Sequence, residues 1–123
     1  SLPVIEKKDS SSDEDKEYAE LTVKYRVISG GKAEITGFSG DGNHVTIDRK
    51  IDGHKVVSIG KSAFKDCTTL ESVLLWADVE SIEDYAFAGC KNLESVIVWG
   101  DDTIIEKDAF ANCPKLKDRP IQE

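Results

Sequence analysis

Residues 58–80 read SIGKSAFKDCTTLESVLLWADVE, residues 81–103 read SIEDYAFAGCKNLESVIVWGDDT, and residues 104–123 read IIEKDAFANCPKLKDRPIQE. The stretches are one unit written three times with a period of 81 − 58 = 23 residues. Ser-Ile, Ala-Phe, Cys, Leu-Glu-Ser-Val and Trp recur in register between the first two. Ile59/Ile82/Ile105, Ala63/Ala86/Ala109, Phe64/Phe87/Phe110, Cys67/Cys90/Cys113 and Leu70/Leu93/Leu116 return at every turn, while Lys, Asp, Glu, Thr and Asn exchange freely between them. Constraint on apolar positions with freedom elsewhere is what stacking demands. A unit this small cannot bury its own apolar face, so it shares a core with its neighbours.

Each unit has an internal grammar. Ala-Phe-x-x-Cys sets apolar residues at i, i+1 and i+4, which predicts one helical turn pressing a single face inward. Asp66, Gly89 and Asn112, the residues before each Cys, are types that tolerate a left-handed conformation and can end that turn. Val73/Leu75 and Val96/Val98 alternate with period 2 and predict a short strand. Strands one unit apart must then run parallel, about 4.8 Å from one another. Val45 and Ile47 fall in the same register, making residues 43–57 a partial repeat.

The string I-x-x-x-A-F-x-x-C-x-x-L-x-x-V resembles the BspA-type leucine-rich repeat of surface proteins from anaerobic bacteria and some parasitic protists. The resemblance covers roughly residues 20–118, and VTIDRKIDGHKVVSIGKSAF (residues 45–64) is similar to the segment by which such domains enter their first full repeat. It implies a leucine-rich-repeat solenoid: a short parallel sheet, with one helical turn per repeat. It also implies a secreted or cell-surface bacterial protein, extracellular or in the cell envelope, that adheres to host or matrix proteins. Two departures stand out. Asp48, Trp76 and Trp99 occupy the place after the strand where the family commonly has Pro, and Arg119-Pro120 interrupts the last repeat where Val is expected.

Upstream, Leu21, Val23, Tyr25 and Val27 alternate with polar residues, and Ser-Gly-Gly-Lys leads to Ala33 and Ile35. This predicts a β-hairpin that caps the N-terminal end of the solenoid, which otherwise exposes core side chains and a strand edge. An odd loop of three or five residues, with Val27 opposite Ile35, keeps one face apolar; a two-residue loop would set Val27 against Glu34. Residues 1–17, SLPVIEKKDSSSDEDKE, hold too little apolar surface to offset ordering and are expected to be a disordered polar linker. The expected organisation is thus 1–17 linker and 18–123 a single domain, with a hairpin cap at 18–42, the partial repeat at 43–57 and repeats at 58–80, 81–103 and 104–123.

The 123-residue chain has 16 − 24 = −8 net charges. That disfavours phosphate backbones and anionic membranes, which Lys and Arg must neutralise. No stretch approaches the ~20 apolar residues of a membrane span, and the first residues show no charged-then-apolar signal pattern. Nucleic acid and direct membrane insertion are therefore not expected. The three cysteines share one repeat position and are expected to be small buried core residues; with no C-x-x-C, a zinc site is disfavoured. His44 and His54 fall in turn-like stretches, DGNH and IDGHK, and a buried thiol would give them no nucleophile to activate. Asp52-Gly53 predicts a tight turn. Asp101 and Asp102, with Asp78 one repeat earlier, could offer Ca²⁺ carboxylates, although that ion wants six or more oxygens and a solvated turn explains the same residues. No cofactor or catalytic residue is expected.

If Val73/Leu75 and Val96/Val98 point inward, Leu74, Trp76, Ile97 and Trp99 point outward and form an apolar ledge that Thr46 and Asp48 continue with a polar edge. Such ledges mark contact sites, and Trp both anchors protein interfaces and stacks on sugars. These six residues are the candidate binding site for a protein or glycan, in a non-catalytic binding or adhesion module. Two alternatives stay open: cover of the ledge by the hairpin, a turn or a second copy in a homodimer, and a structural spacer or self-assembly unit of a larger surface protein whose open C-terminal end pairs with another chain.

Overall fold

The computed structural model describes residues 19–77, 79–100 and 102–117. The expected linker over 1–17, Tyr18, Asp78, Asp101 and the Arg119-Pro120 break lie outside the described residues. In chain order the strands are β1 (Thr22–Ile28), β2 (Lys32–Ser39), β3 (His44–Ile47), β4 (Lys50–Ile51), β5 (His54–Ile59), β6 (Ser72–Leu75), β7 (Ser81–Ile82), β8 (Ser95–Val98) and β9 (Ile104–Ile105).

The chain winds as a β-solenoid whose coils share two walls. One wall is the parallel sheet β3-β6-β8, with Val45↔Val73 and Val73↔Val96 in register and Ile47↔Leu75 and Leu75↔Val98 two residues on. The partial repeat therefore pairs as the sequence register requires. The other wall is the sheet β1-β2-β5-β7-β9, in which Ile59, Ile82 and Ile105 stack in parallel register. Between the walls lies one core that includes Ile35, Ile59, Leu70, Leu75, Ile82 and Leu93, all fully buried. Burial of each such side chain stabilises by about 1.5–3 kcal/mol relative to leaving it in water.

The phenylalanines form a continuous stack along the solenoid axis. Ring centroids are 4.9 Å apart for Phe64 and Phe87 and 5.2 Å for Phe87 and Phe110, with planes within 4° of parallel. Phe38 of the hairpin extends the stack, 5.7 Å from Phe64. A β-bulge puts it there: Tyr25 pairs with Ile35 but Lys24 pairs with Gly37, so Thr36 is left over and Phe38 turns inward.

The expected helical turn is absent. Residues 61–66, 84–89 and 107–112 are successive turns closed by i→i+3 bonds such as Cys67 N–H to Phe64 O and Cys90 N–H to Phe87 O. Among the described residues the helical element is a three-residue 3₁₀ turn, Ser29–Gly31. The reason lies in where the donors go. Ser62, Phe64 and Asp66 give their N–H groups to Asp84, Ala86 and Ala88 of the next coil, so no i→i−4 ladder forms. Positive φ at Ser62 and Asp66, repeated at Tyr85 and Gly89, enforces the reversal. Asp66, Gly89 and Asn112 do adopt the left-handed conformation their types suggested.

The hairpin has the expected odd loop, of three residues, but its register differs from expectation. Val27 faces Ala33 rather than Ile35, Tyr25 takes the place opposite Ile35, and Val27 is exposed. Strand β2 pairs in parallel with β5, so the hairpin extends one wall beyond the first coil. Residues 19–21 cover the start of the other wall: Leu21 N–H bonds His44 O, and the N–H of Asn43 bonds Ala19 O. Asp52-Gly53 forms the tight turn between β4 and β5, with positive φ at both residues. Tyr25 OH donates to Asp52 Oδ2 at 2.6 Å and ties β1 to that turn.

Candidate functional site

The outer face of β3-β6-β8 carries the six residues singled out from the sequence. Because Val45, Ile47, Val73 and Leu75 are buried, the pleat turns Thr46, Leu74 and Ile97 outward in one row. Asp48, Trp76 and Trp99 follow as the next row, with the Trp76 and Trp99 N–H groups bonded to Ile47 O and Leu75 O. Trp99 is 58% and Ile97 52% exposed, whereas Leu74 and Trp76, flanked by coils on both sides, are half-buried. The two indoles meet edge to face, centroids 4.9 Å apart at 60°. That contact holds Trp99 upright and leaves its ring in solvent.

Thr46 and Asp48 do lie beside the ledge. Thr46 is half-buried and its hydroxyl is engaged by His44 Nε2 at 3.0 Å; Asp48 is exposed. His44, expected in a turn, is instead the first residue of β3, and its other nitrogen, Nδ1, contacts Ser72 Oγ at 2.5 Å. Glu20 stands 3.7 Å from His44 Nε2. This polar network was missed, yet the register that sets Val45 against Val73 also sets His44 against Ser72, so the adjacency was there to be found. His54 likewise opens a strand, β5, and its Nδ1 bonds the Gly31 carbonyl.

The cysteines are free and buried. Cys90 and Cys113 donate their S–H groups to Phe64 O and Phe87 O at 3.2 and 3.1 Å. Burial pushes the Cys67 thiol up, and a hydrogen bond with Cys113 followed by burial pushes Cys90 far up, so neither is a ready nucleophile. Of the Ca²⁺ candidates, Asp78 and Asp101 lie outside the described residues and Asp102 is exposed. Among the described residues no group of three or more His, Cys, Asp or Glu is assembled to hold a metal. No helix there is long and apolar enough to cross a membrane.

A family model described as BspA type leucine rich repeat region matches residues 38–122 in six copies. The chain is similar in structure to a leucine-rich repeat protein of T. pallidum, with a TM-score of 0.71 and 31% identity over 76% of this chain. It is similar in fold to a leucine-rich repeat protein from Bacteroides ovatus, with a TM-score of 0.68 and 24% identity over 88% of this chain. The chain spans 44% and 30% of the lengths of those two proteins. No curated protein matches it.

Proposed function

The chain belongs to the BspA-type leucine-rich repeat family, and from that premise we propose that it is a non-catalytic binding module of a secreted or cell-surface protein. Its contact surface is the outer face of β3-β6-β8, and its partner is a protein or glycan. One observation carries this reading: Trp99 and Ile97 stand in solvent beside Leu74 and Trp76, an apolar ledge that contributes little to the core. Trp concentrates binding free energy when a partner desolvates it. Family members are typically surface or secreted proteins, which supports the location, and leucine-rich repeats generally bind proteins, which supports the role.

The test is acrylamide quenching of tryptophan emission together with binding to immobilised matrix proteins and glycans, for the wild type and Trp76→Ala/Trp99→Ala. Accessible Trp99 and a double variant that stays folded while losing binding are expected. Shielded tryptophans in a proven monomer, with a double variant that loses stability instead, would sink the contact-surface reading. Sedimentation of the wild type decides between an external ligand and a homodimer closed over the ledge.

A further inference from the structure

The polar groups nearest the ledge are occupied with one another. His44 engages both Ser72 and Thr46, leaving Ser95 as the hydroxyl of that face outside the network. A sugar needs several convergent donors and acceptors to fix its hydroxyls. Carboxylates, by contrast, border the face on two sides. Glu71 and Glu94 stand exposed immediately before β6 and β8, Asp48 is exposed in the row of the tryptophans, and Asp102 is exposed three residues after Trp99. Arg49 follows Asp48 in the chain, and Lys117 lies beside Glu94 in the next coil, its backbone N–H 3.4 Å from Glu94 O; the chain as a whole carries −8. An apolar surface set in a negative field complements a ligand that is apolar and positive together. The exposed Trp99 ring also offers a face to a cation, and Arg is the side chain best suited to stack there.

We propose that this face binds a cationic polypeptide segment in which Arg or Lys alternates with aliphatic residues. The aliphatic side chains cover Leu74 and Ile97, and a guanidinium or ammonium group stacks on Trp99 within the field of Glu71, Glu94, Asp48 and Asp102. The inference rests on the outer face being the contact surface, and it adds the chemistry of the partner.

The experiment titrates the full chain calorimetrically with short synthetic peptides of alternating Arg-Leu, Glu-Leu and Ser-Leu, and with a gluco-oligosaccharide. Arg-Leu is expected to bind, Ser-Leu about tenfold more weakly or worse, and Glu-Leu not at all. Trp99→Ala should weaken Arg-Leu about tenfold or more while Trp99→Phe, which keeps a ring, restores part of the loss. Glu71→Lys/Glu94→Lys should weaken it to a similar degree, and so should raising salt from about 50 to about 300 mM. Circular dichroism of each variant reports retained folding. Ser-Leu or Glu-Leu binding as tightly as Arg-Leu, or the oligosaccharide binding in a Trp99-dependent way, would overturn the cationic partner and leave the contact surface standing. Arg-Leu binding that Trp99→Ala leaves unchanged, or no binding by any probe, would overturn the inference, while quenching and matrix binding decide the contact surface separately.

Discussion

Replacing Phe87 with alanine removes the ring at the middle of the aromatic stack. Phe87 is fully buried and lies between Phe64 and Phe110, with nearly parallel planes on both sides. Phe→Ala in a close-packed core costs about 3–5 kcal/mol, and each aromatic contact contributes about 0.5–1.5 kcal/mol beyond its buried area. With rings above and below, the void cannot collapse from one side, so the upper half of that range, about 4–5 kcal/mol, is expected. Phe38 supplies the comparison: it is half-buried on the hairpin and stacks on Phe64, so Phe38→Ala should cost only about 1–2 kcal/mol. Urea unfolding followed by far-ultraviolet circular dichroism measures both. At a slope of about 1.5 kcal/mol/M, the Phe87 variant should lose roughly 3 M of midpoint and the Phe38 variant about 1 M, with the slope unchanged. Equal shifts for the two variants, or a Phe87→Ala cost below about 2 kcal/mol, would refute the idea that the stack is held by burial between neighbouring coils.

Two glycines in left-handed conformations should respond differently to alanine. Gly53 has φ of 84° with open space where a methyl would go, so Gly53→Ala should cost about 1–2 kcal/mol from backbone strain alone. At Gly89, with φ of 75°, the methyl would also overlap Asp66 Oδ1 and force that side chain aside; thermal melts that rank the two variants equally would count against the close approach of adjacent coils. The buried thiols should resist iodoacetamide at about pH 8 in the folded chain and all react in urea, and rapid labelling of Cys90 under native conditions would contradict its burial. Because Cys67 and Cys90 are raised above the ordinary 9.0, the folded state holds their protons longer than the unfolded one. That contribution to stability is complete below pH 9.0 and is lost as the pH rises above it, so the urea midpoint should fall in alkali and Cys90→Ser should flatten that fall.

The coil was legible in the sequence wherever one side chain per turn had to meet its own copy. Val45, Val73 and Val96 align because their strands stack, and a stack tolerates only residues of like shape at the contact. The second wall was legible only as a column of isoleucines. Its strands β7 and β9 are two residues long, too short to show alternation, and their pairing follows from closure of the coil. The helical turn was misread because apolar spacing at i, i+1 and i+4 suits a run of turns as well as a helix. What separates them is the destination of the Phe64 and Phe87 N–H groups, Ala86 O and Ala109 O in the next coil, and no single unit of sequence contains that partner. The hairpin register slipped for a related reason: the loop length sets Val27 against Ala33, and the extra residue at Thr36 then restores Phe38 to the apolar side.

At the candidate site, direction was legible and exposure was not. Period-2 alternation settles that Leu74, Trp76, Ile97 and Trp99 share the outer face, because every inward neighbour is an aliphatic residue that the core requires. Alternation treats the two units alike, yet Leu74 and Trp76 are half-buried while Ile97 and Trp99 are open. The difference comes from position along the axis. Strand β6 has β3 and β8 on its two sides, whereas β8 is the last strand of its wall among the described residues. Trp76 is further covered by the indole of Trp99, so one tryptophan acts as the bed of the other. A partner approaching this face therefore meets Ile97 and Trp99 first, and Trp99→Ala should uncover Trp76 and transfer part of the ledge to it rather than abolish the apolar surface. For that reason Trp99→Ala should weaken binding, whereas Trp76→Ala/Trp99→Ala should abolish it.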